Sequence, residues 1–158
     1  MDTISMIRQK AGSKKRTIVL PEYDDARVAK ACQIIEKEGI AQTLLLTPDR
    51  IDRQKKESFA QDFSELRKAK GMSLEAARKT MDGPLYYAAM MVRKGLADGF
   101  VAGASNTTPS VVRAAIQCLE VDARIGIACS AFIMVVPNTS YGEKGTLIFA
   151  DCGVIPEP

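Results

Sequence analysis

The sequence predicts an α/β fold in which a mostly parallel sheet is flanked by helices on both faces, a three-layer α/β/α arrangement. Three short apolar segments, at residues 17–20, 43–46 and 100–102, have the length and composition of buried strands. Segments of helical period separate them, so that strands and helices alternate along the chain. This alternation is typical of βαβ units, whose strands run parallel.

The first βα unit has clear boundaries in the sequence. The strand at residues 17–20 stops at Pro21, and Asp24 or Asp25 can cap the helix that follows. Gly39 stands where the residue after a helix adopts a left-handed conformation. The apolar positions of this helix share one face: Val28, Ala31, Cys32 and Ile35. We therefore expect the helix to pack this face against the sheet.

Three further helices are predicted between the second and third strands. The first covers the charged region 49–70, and the second runs from Ser73 to about Thr80. The third begins at Gly83 and Pro84, where proline fits the first helical turn because its missing N–H is not needed there. Helices of this number and spacing can cover both faces of a small sheet.

The last part of the chain predicts a hairpin and an incomplete domain. An apolar strand at residues 125–136 is followed by a polar turn and a second strand at residues 146–150. We place an N-terminal α/β domain at residues 1–137 and the start of a second α/β domain at residues 138–158. Because the sequence stops soon after a strand that a helix is expected to cover, we expect a truncated two-domain fold.

Composition limits the partners and the chemistry. The 22 basic and 19 acidic residues leave a formal charge of +3, which gives little reason to expect nucleic acid. No apolar run approaches the roughly 18 residues of a membrane span, and the N-terminus lacks the apolar segment of a signal peptide. We therefore expect a cytoplasmic protein. The sequence contains no histidine, which excludes histidine-dependent triads and histidine-ligated metal sites.

Residues 98–113 have the pattern of an anion-binding turn between a strand and a helix. A short apolar strand leads into Gly103 and Ala104, whose small side chains leave the backbone open to close approach. Four polar residues follow, with hydroxyl and amide groups: Ser105, Asn106, Thr107 and Thr108. Free backbone N–H groups at this turn would be donors for a phosphate or carboxylate.

The helix after this turn has well-defined start signals. Thr108 is a good N-cap, and Pro109 fits the first helical position. Arg113 lies off the apolar stripe of the helix, one turn inside. The helix dipole and this guanidinium both favour an anion at the turn. An ordinary βα turn with a solvated arginine explains the same local pattern, so the residues alone leave both interpretations open.

Five separated segments carry a resemblance to a known family. They are KKRTIVLPEYDDARVAKA from residue 14, ELRKAKGMSLEAA from 65, PLYYAAMMVRKGLADGFVAGASNTTPSVVRAAIQ from 84, SAFIMVVP from 130 and LIFADCGV from 147. Together they resemble the phosphate acetyltransferases, also called phosphotransacetylases, in the family's own order. Because family members are roughly twice as long as this chain, the resemblance implies an N-terminal half.

The resemblance implies transfer of an acetyl group between acetyl-CoA and phosphate, giving acetyl phosphate and CoA. It implies coenzyme A and acetyl-CoA as substrates, no tightly bound cofactor, no metal, and a homodimer. Arg67 and Arg113 correspond to family arginines that contact phosphate or CoA. The loop formed by Ser105, Asn106, Thr107 and Thr108 then lies beside the phosphate or acyl group. Many family members have histidine where this chain has Asn106.

The resemblance also leaves the catalytic residues open. The family's general base is an aspartate near the C-terminus of full-length members, so we expect it beyond Pro158. Asp151 is the one remaining carboxylate near the expected cleft. Residues 47–58 are shorter than the corresponding region of relatives, which often holds another strand. The alternative to an enzyme half is a non-catalytic anion-binding, acyl-CoA-binding or dimerisation module, as in the appended domain of some malic enzymes.

Overall fold

A three-stranded parallel sheet organises the larger part of the molecule. In the computed structural model, which describes residues 2–150, the strands are β1 (Thr17–Leu20), β2 (Gln42–Leu45) and β3 (Gly99–Phe100). Their order is β2-β1-β3, and both pairings are parallel. The predicted α/β class with a parallel sheet is therefore confirmed.

The central strand buries its two faces against different helices, because successive side chains of a strand point in opposite directions. Val19 is fully buried in a core cluster together with Phe63 and Tyr87. Ile18 and Leu20 face the other way and line an apolar cavity with residues of α2 (Ala26–Lys37). Helices thus cover both faces of the sheet, as the three-layer prediction requires.

Helix α2 and the two helices that follow it begin at residues whose side chains accept from free N–H groups of the first turn. An Asp25 carboxylate oxygen accepts from the Arg27 N–H at the start of α2 (2.8 Å). Asp52 and Ser73 cap the next two helices through their side chains. The α-helices of residues 53–120, which include these two, are α3 (Arg53–Leu66), α4 (Leu74–Thr80), α5 (Pro84–Arg93) and α6 (Thr108–Leu119). Of the two predicted cap candidates, Asp25 rather than Asp24 is the N-cap, and the predicted start at Ser73 is confirmed.

Several predicted boundaries are corrected by the structure. Residues 3–12 form a helix, α1 (Thr3–Gly12), which was not predicted from the sequence. Strand β3 ends at Phe100 rather than at residue 102. The N-cap of α6 is Thr107 and not Thr108, which places Pro109 one position further into the first turn. Thr108 is already the first helical residue, and such one-residue differences are common at helix ends.

An antiparallel hairpin occupies the C-terminal part of the described chain. It pairs β4 (Ala131–Val135) with β5 (Thr146–Ala150), which confirms the predicted hairpin. The predicted first strand over residues 125–136 is too long, because pairing with β5 supports only residues 131–135. Both strands expose large apolar side chains: Phe132, Ile133, Met134, Val135, Ile148 and Phe149.

The chain divides into two compact units. One comprises residues 10–120, and the other combines the described parts of residues 1–9 and 121–158. The predicted domain boundary after residue 137 falls inside the second unit, in the turn of the hairpin. Among the helices of residues 2–150, none is long and apolar enough to cross a membrane.

Candidate functional site

Two loops meet at the carboxyl end of the sheet. Because β1 and β3 are parallel neighbours with Val19 opposite Phe100, the residues three positions further along each strand also come together. These residues are Glu22 and Gly103. The predicted anion-binding turn therefore lies beside a carboxylate that follows β1.

The carboxylate of Glu22 fills the turn. Its Oε2 accepts from the backbone N–H groups of Gly103 (2.9 Å) and Ala104 (2.8 Å). Its Oε1 accepts from the N–H groups of Ser105 (3.0 Å) and Asn106 (2.6 Å), and also from Asn106 Nδ2 (2.8 Å). The expectation that these amides are free for an external anion is therefore wrong, because the chain supplies the anion itself.

These hydrogen bonds strongly affect the pKa of Glu22, a residue that is only 3% exposed. Burial raises the pKa of Glu22, but the N–H groups of Asn106, Ala104 and Ser105 together lower it to about 2. Hydrogen bonds to the charged form favour ionisation more than burial opposes it. Glu22 is consequently a carboxylate at neutral pH, and its charge is spread over five donors.

A second contact ties the same loops together. The Arg27 guanidinium donates to both carboxylate oxygens of Asp25, with Nε to Oδ1 at 3.0 Å and Nη2 to Oδ2 at 2.6 Å. The same Nη2 also donates to the carbonyl oxygen of Ala104. The loop after β3 is thus held at two kinds of group. Its backbone N–H groups donate to Glu22, and its Ala104 carbonyl oxygen accepts from Arg27.

A cavity of about 280 Å³ opens on the other side of Asn106. It lies where the N-termini of α5 and α6 approach each other, and these two helices pack closely. Its lining consists of Gly83, Pro84, Leu85, Tyr86, Asn106, Ser110 and Arg113. The positive ends of two helix dipoles and one guanidinium therefore converge on a single small space.

Tyr86 connects the two predicted arginines. Its hydroxyl group donates a hydrogen bond to Gln117 Oε1 (2.9 Å). Burial and the neighbouring Cys118 raise the pKa of Tyr86, whereas the positive charges of Arg113 and Arg67 act to lower it. Both guanidinium groups are therefore close enough to influence this one ring.

The predicted site residues separate into two groups. Asn106 and Arg113 line the cavity, and Arg67 acts electrostatically on its Tyr86 wall. The other loop residues do not line it: Ser105, Thr107 and Thr108. The candidate base Asp151 lies outside the described residues. Within residues 2–150 there is no cluster of three or more potential metal-ligating side chains of the His, Cys, Asp and Glu types.

Three residues of this region were not predicted from the sequence. Ser110 and Tyr86 lie in the cavity wall, and Glu22 occupies the turn. Glu22 had a visible signal, since it follows a predicted strand and the ends of neighbouring parallel strands meet at one edge. What could not be read from the pattern was that β1 and β3, which are about 80 residues apart, are neighbours.

A parallel sheet with a cationic cavity at the start of two helices defines an α/β domain suited to a small anionic ligand. A model of the family described as "Phosphate acetyl/butaryl transferase" matches residues 2–158. The chain belongs to this family of acyltransferases, and the predicted resemblance is confirmed.

Named relatives agree with the family match. The chain is 42% identical to a phosphate acetyltransferase of Acetivibrio thermocellus and 40% identical to one of Thermoanaerobacterium thermosaccharolyticum. Both alignments include the whole chain, but they cover 53% and 54% of the relatives. Each extends over 177 positions, at least 19 more than the 158 residues of this chain, so the chain lacks positions that these relatives have.

Solved structures give the same result. A phosphotransacetylase from Streptococcus pyogenes superimposes with a TM-score of 0.80 at 30% identity, covering all of this chain and 54% of that one. The EutD phosphotransacetylase from Staphylococcus aureus has a TM-score of 0.77 at 26% identity, covering 98% of this chain and 51% of that one. The chain thus spans about half the length of each of these four proteins.

Proposed function

We propose that this chain provides the phosphate-binding half of a phosphate acetyltransferase that converts acetyl-CoA and phosphate to acetyl phosphate and CoA. The observation that carries the proposal is the cavity in which Arg113 stands beside the N-termini of α5 and α6. A phosphate dianion placed there is attracted by the guanidinium and by both helix dipoles. Family membership supplies the reaction class.

The size of the cavity favours the small reactants. At about 280 Å³ it lies below the roughly 300–1,000 Å³ typical of sites for drug-sized ligands. Phosphate and the acetyl end of a thioester are small enough for such a space, whereas the nucleotide part of CoA has to bind outside it. We therefore assign phosphate to Arg113 and Ser110, with Arg67 adding positive potential from the Tyr86 side.

The chemical step follows from this placement. A phosphate oxygen attacks the thioester carbonyl carbon, the new C–O bond forms, and the C–S bond breaks. The proton of the phosphate ends on the departing sulfur, which gives free CoA thiol. Arg113 holds the nucleophile, so that a reaction between two solutes becomes one between positioned groups. The aspartate that exchanges the thiol proton is expected in sequence beyond Pro158, and Asp151 is the remaining candidate within the chain.

Assembly and location belong to the same proposal. We assign the protein to the cytoplasm and expect it to act as a homodimer, with acetyl-CoA and phosphate as its small-molecule partners and without a metal or a tightly bound cofactor. Nucleic acid and membrane are not expected as partners. Size-exclusion chromatography with light scattering measures the oligomeric state, and a monomer at assay concentration would contradict the dimer.

Phosphate binding is tested first, by isothermal titration calorimetry with the 158-residue chain. We expect Arg113→Ala to weaken the affinity for phosphate at least about tenfold, the size of one lost charge-assisted contact. Arg124→Ala is the matched control, because Arg124 is exposed and paired with Asp122 in the other compact unit. Equal phosphate affinity in wild type and Arg113→Ala would contradict the proposal.

The release of free CoA thiol from acetyl-CoA then measures catalysis. We expect no phosphate-dependent release by the chain alone, and release when a C-terminal half of the Acetivibrio thermocellus relative is added. Release by the chain alone that is lost in Asp151→Asn would place the base within this half. Phosphate binding without release under either condition would favour the non-catalytic anion-binding module.

A further inference from the structure

The turn after β3 holds an anion that the proposed reaction does not use. Five N–H groups converge on the Glu22 carboxylate at distances of 2.6–3.0 Å, and four of them belong to the backbone of residues 103–106. This is the donor arrangement that proteins use for phosphate. Here a buried side chain from a loop about 80 residues earlier in the sequence occupies it.

Asn106 links this carboxylate to the cavity. Both its backbone N–H and its side-chain Nδ2 donate to Glu22 Oε1, so that the residue is fixed at two points. The same residue forms part of the cavity wall with Ser110 and Arg113. Thr107, directly after Asn106, is the N-cap of α6. The position of Glu22 therefore sets where α6 begins and how its first turn meets the cavity.

The charge of Glu22 also decides where an external anion can bind. The loop amides already donate to a carboxylate, and a second anion beside it meets like-charge repulsion in a poorly hydrated place. Arg113 offers a positive charge in the cavity wall, and Arg67 acts on the Tyr86 ring of the same wall. Donors for an anion thus converge at two neighbouring places, the turn of residues 103–106 and the Arg113 cavity. The Glu22 carboxylate occupies the first, so an external anion binds at the second.

We propose that Glu22 is a positioning residue: its carboxylate holds residues 103–106, fixes Asn106 and the start of α6 against the cavity, and keeps phosphate out of the loop. The proposal rests on the proposed function for the identity of phosphate as the ligand. It goes beyond that function in two respects. Glu22 touches no substrate, and the anion in the turn of residues 103–106 is a side chain of the protein itself.

The test removes the carboxylate and returns it from solution. Glu22→Ala deletes two carbons and two oxygens, which acetate replaces atom for atom, whereas acetamide has the same shape without the charge. Two-dimensional ¹H–¹⁵N NMR then follows the amide signals of residues 103–106. We expect these signals to move upfield in Glu22→Ala, to return downfield with acetate, and to ignore acetamide and sodium chloride of equal ionic strength.

Glu22→Gln supplies the second variant. Its side chain fills the same space without a charge, so acetate cannot enter, and we expect displaced amide signals that acetate does not restore. If Glu22→Ala accumulates unfolded, the Glu22→Gln spectrum decides the question. Unchanged amide signals of residues 103–106 in Glu22→Gln, or equal rescue of Glu22→Ala by acetate and acetamide, would overturn the proposal.

Phosphate affinity distinguishes this proposal from the function on which it rests. We expect Glu22→Ala to weaken phosphate binding at the Arg113 cavity about tenfold or more, the usual cost of losing a supporting hydrogen-bond partner. Acetate should restore the affinity in Glu22→Ala and leave the wild type unchanged or weaker through competition. If the wild-type protein binds no phosphate, the proposed function is refuted and the positioning role is not. If both Glu22 variants bind phosphate as tightly as the wild type does, the positioning role is refuted and the proposed function is not.

Discussion

Replacing Glu22 by glutamine should destabilise the protein in a manner that depends on pH. The substitution keeps the size of the side chain but removes its charge and leaves an NH₂ group facing backbone N–H donors. In the native state the pKa of Glu22 is about 2, whereas an ordinary glutamate has a pKa of 4.5. Each tenfold change in proton affinity corresponds to about 1.4 kcal/mol, so the ionised carboxylate contributes about 3 kcal/mol to the free energy of unfolding.

The sign of the pH dependence follows from the lowered pKa. A carboxyl group that is more acidic in the folded state than in the unfolded state stabilises fully above the unfolded pKa. Its contribution is lost as the pH falls from about 5 through about 2, where Glu22 takes up a proton. The free energy of unfolding of Glu22→Gln should therefore be lower than that of the wild type by about 3 kcal/mol at pH 7 and by about half of that at pH 3.

Urea unfolding followed by circular dichroism at 222 nm measures this difference, because five of the described helices lie in the unit that contains Glu22. Glu65→Gln is the matched control, since Glu65 is an exposed carboxylate paired with Lys68. Such surface pairs contribute at most about 1 kcal/mol. A Glu22→Gln cost no larger than that of the control at pH 7, or one that is equal at pH 7 and pH 3, would refute the reasoning.

Two further predictions concern Gly103 and the reactivity of two cysteines. Gly103 has φ of +115°, so Gly103→Ala should lower the free energy of unfolding by about 1–2 kcal/mol in the same urea assay; Gly99→Ala, in a strand with space for a Cβ, is the control and should not lose stability to that extent. Burial raises the pKa of the Cys118 thiol to about 12, whereas Cys129 is exposed, so iodoacetamide should label Cys129 first. Peptide mass spectrometry measures both labelling rates, and equal rates in the folded protein would contradict this assignment.

The sequence predicted the elements whose signals are local. Asp25, Ser73 and Gly39 each act within a few residues of their own position, as caps or as a left-handed helix end, and each lies where the pattern placed it. The family resemblance also depended on contiguous motifs, and the family match confirms it. Strand and helix type could therefore be predicted well from this chain.

The features that were missed depend on partners distant in sequence. The strand predicted over residues 125–136 is cut to β4 because only residues 131–135 pair with β5. Helix α1 has a weakly apolar face with no buried residue, so its periodicity carried little signal. In the candidate site, Arg113 was recognised but the occupant of the turn was not, because Glu22 reaches it only through the pairing of β1 with β3.

The distance along the chain between Glu22 and its donors also has a kinetic meaning. These partners are 81 to 84 residues apart, and they meet only after β1 and β3 have paired. Contacts that close such long loops are commonly absent from the folding transition state, where local structure forms first. Protonation of this carboxylate should therefore accelerate unfolding and leave the refolding rate nearly unchanged. The contacts of Glu22 with the turn after β3 therefore form late in folding. They slow the unfolding of this unit and have little effect on its folding rate.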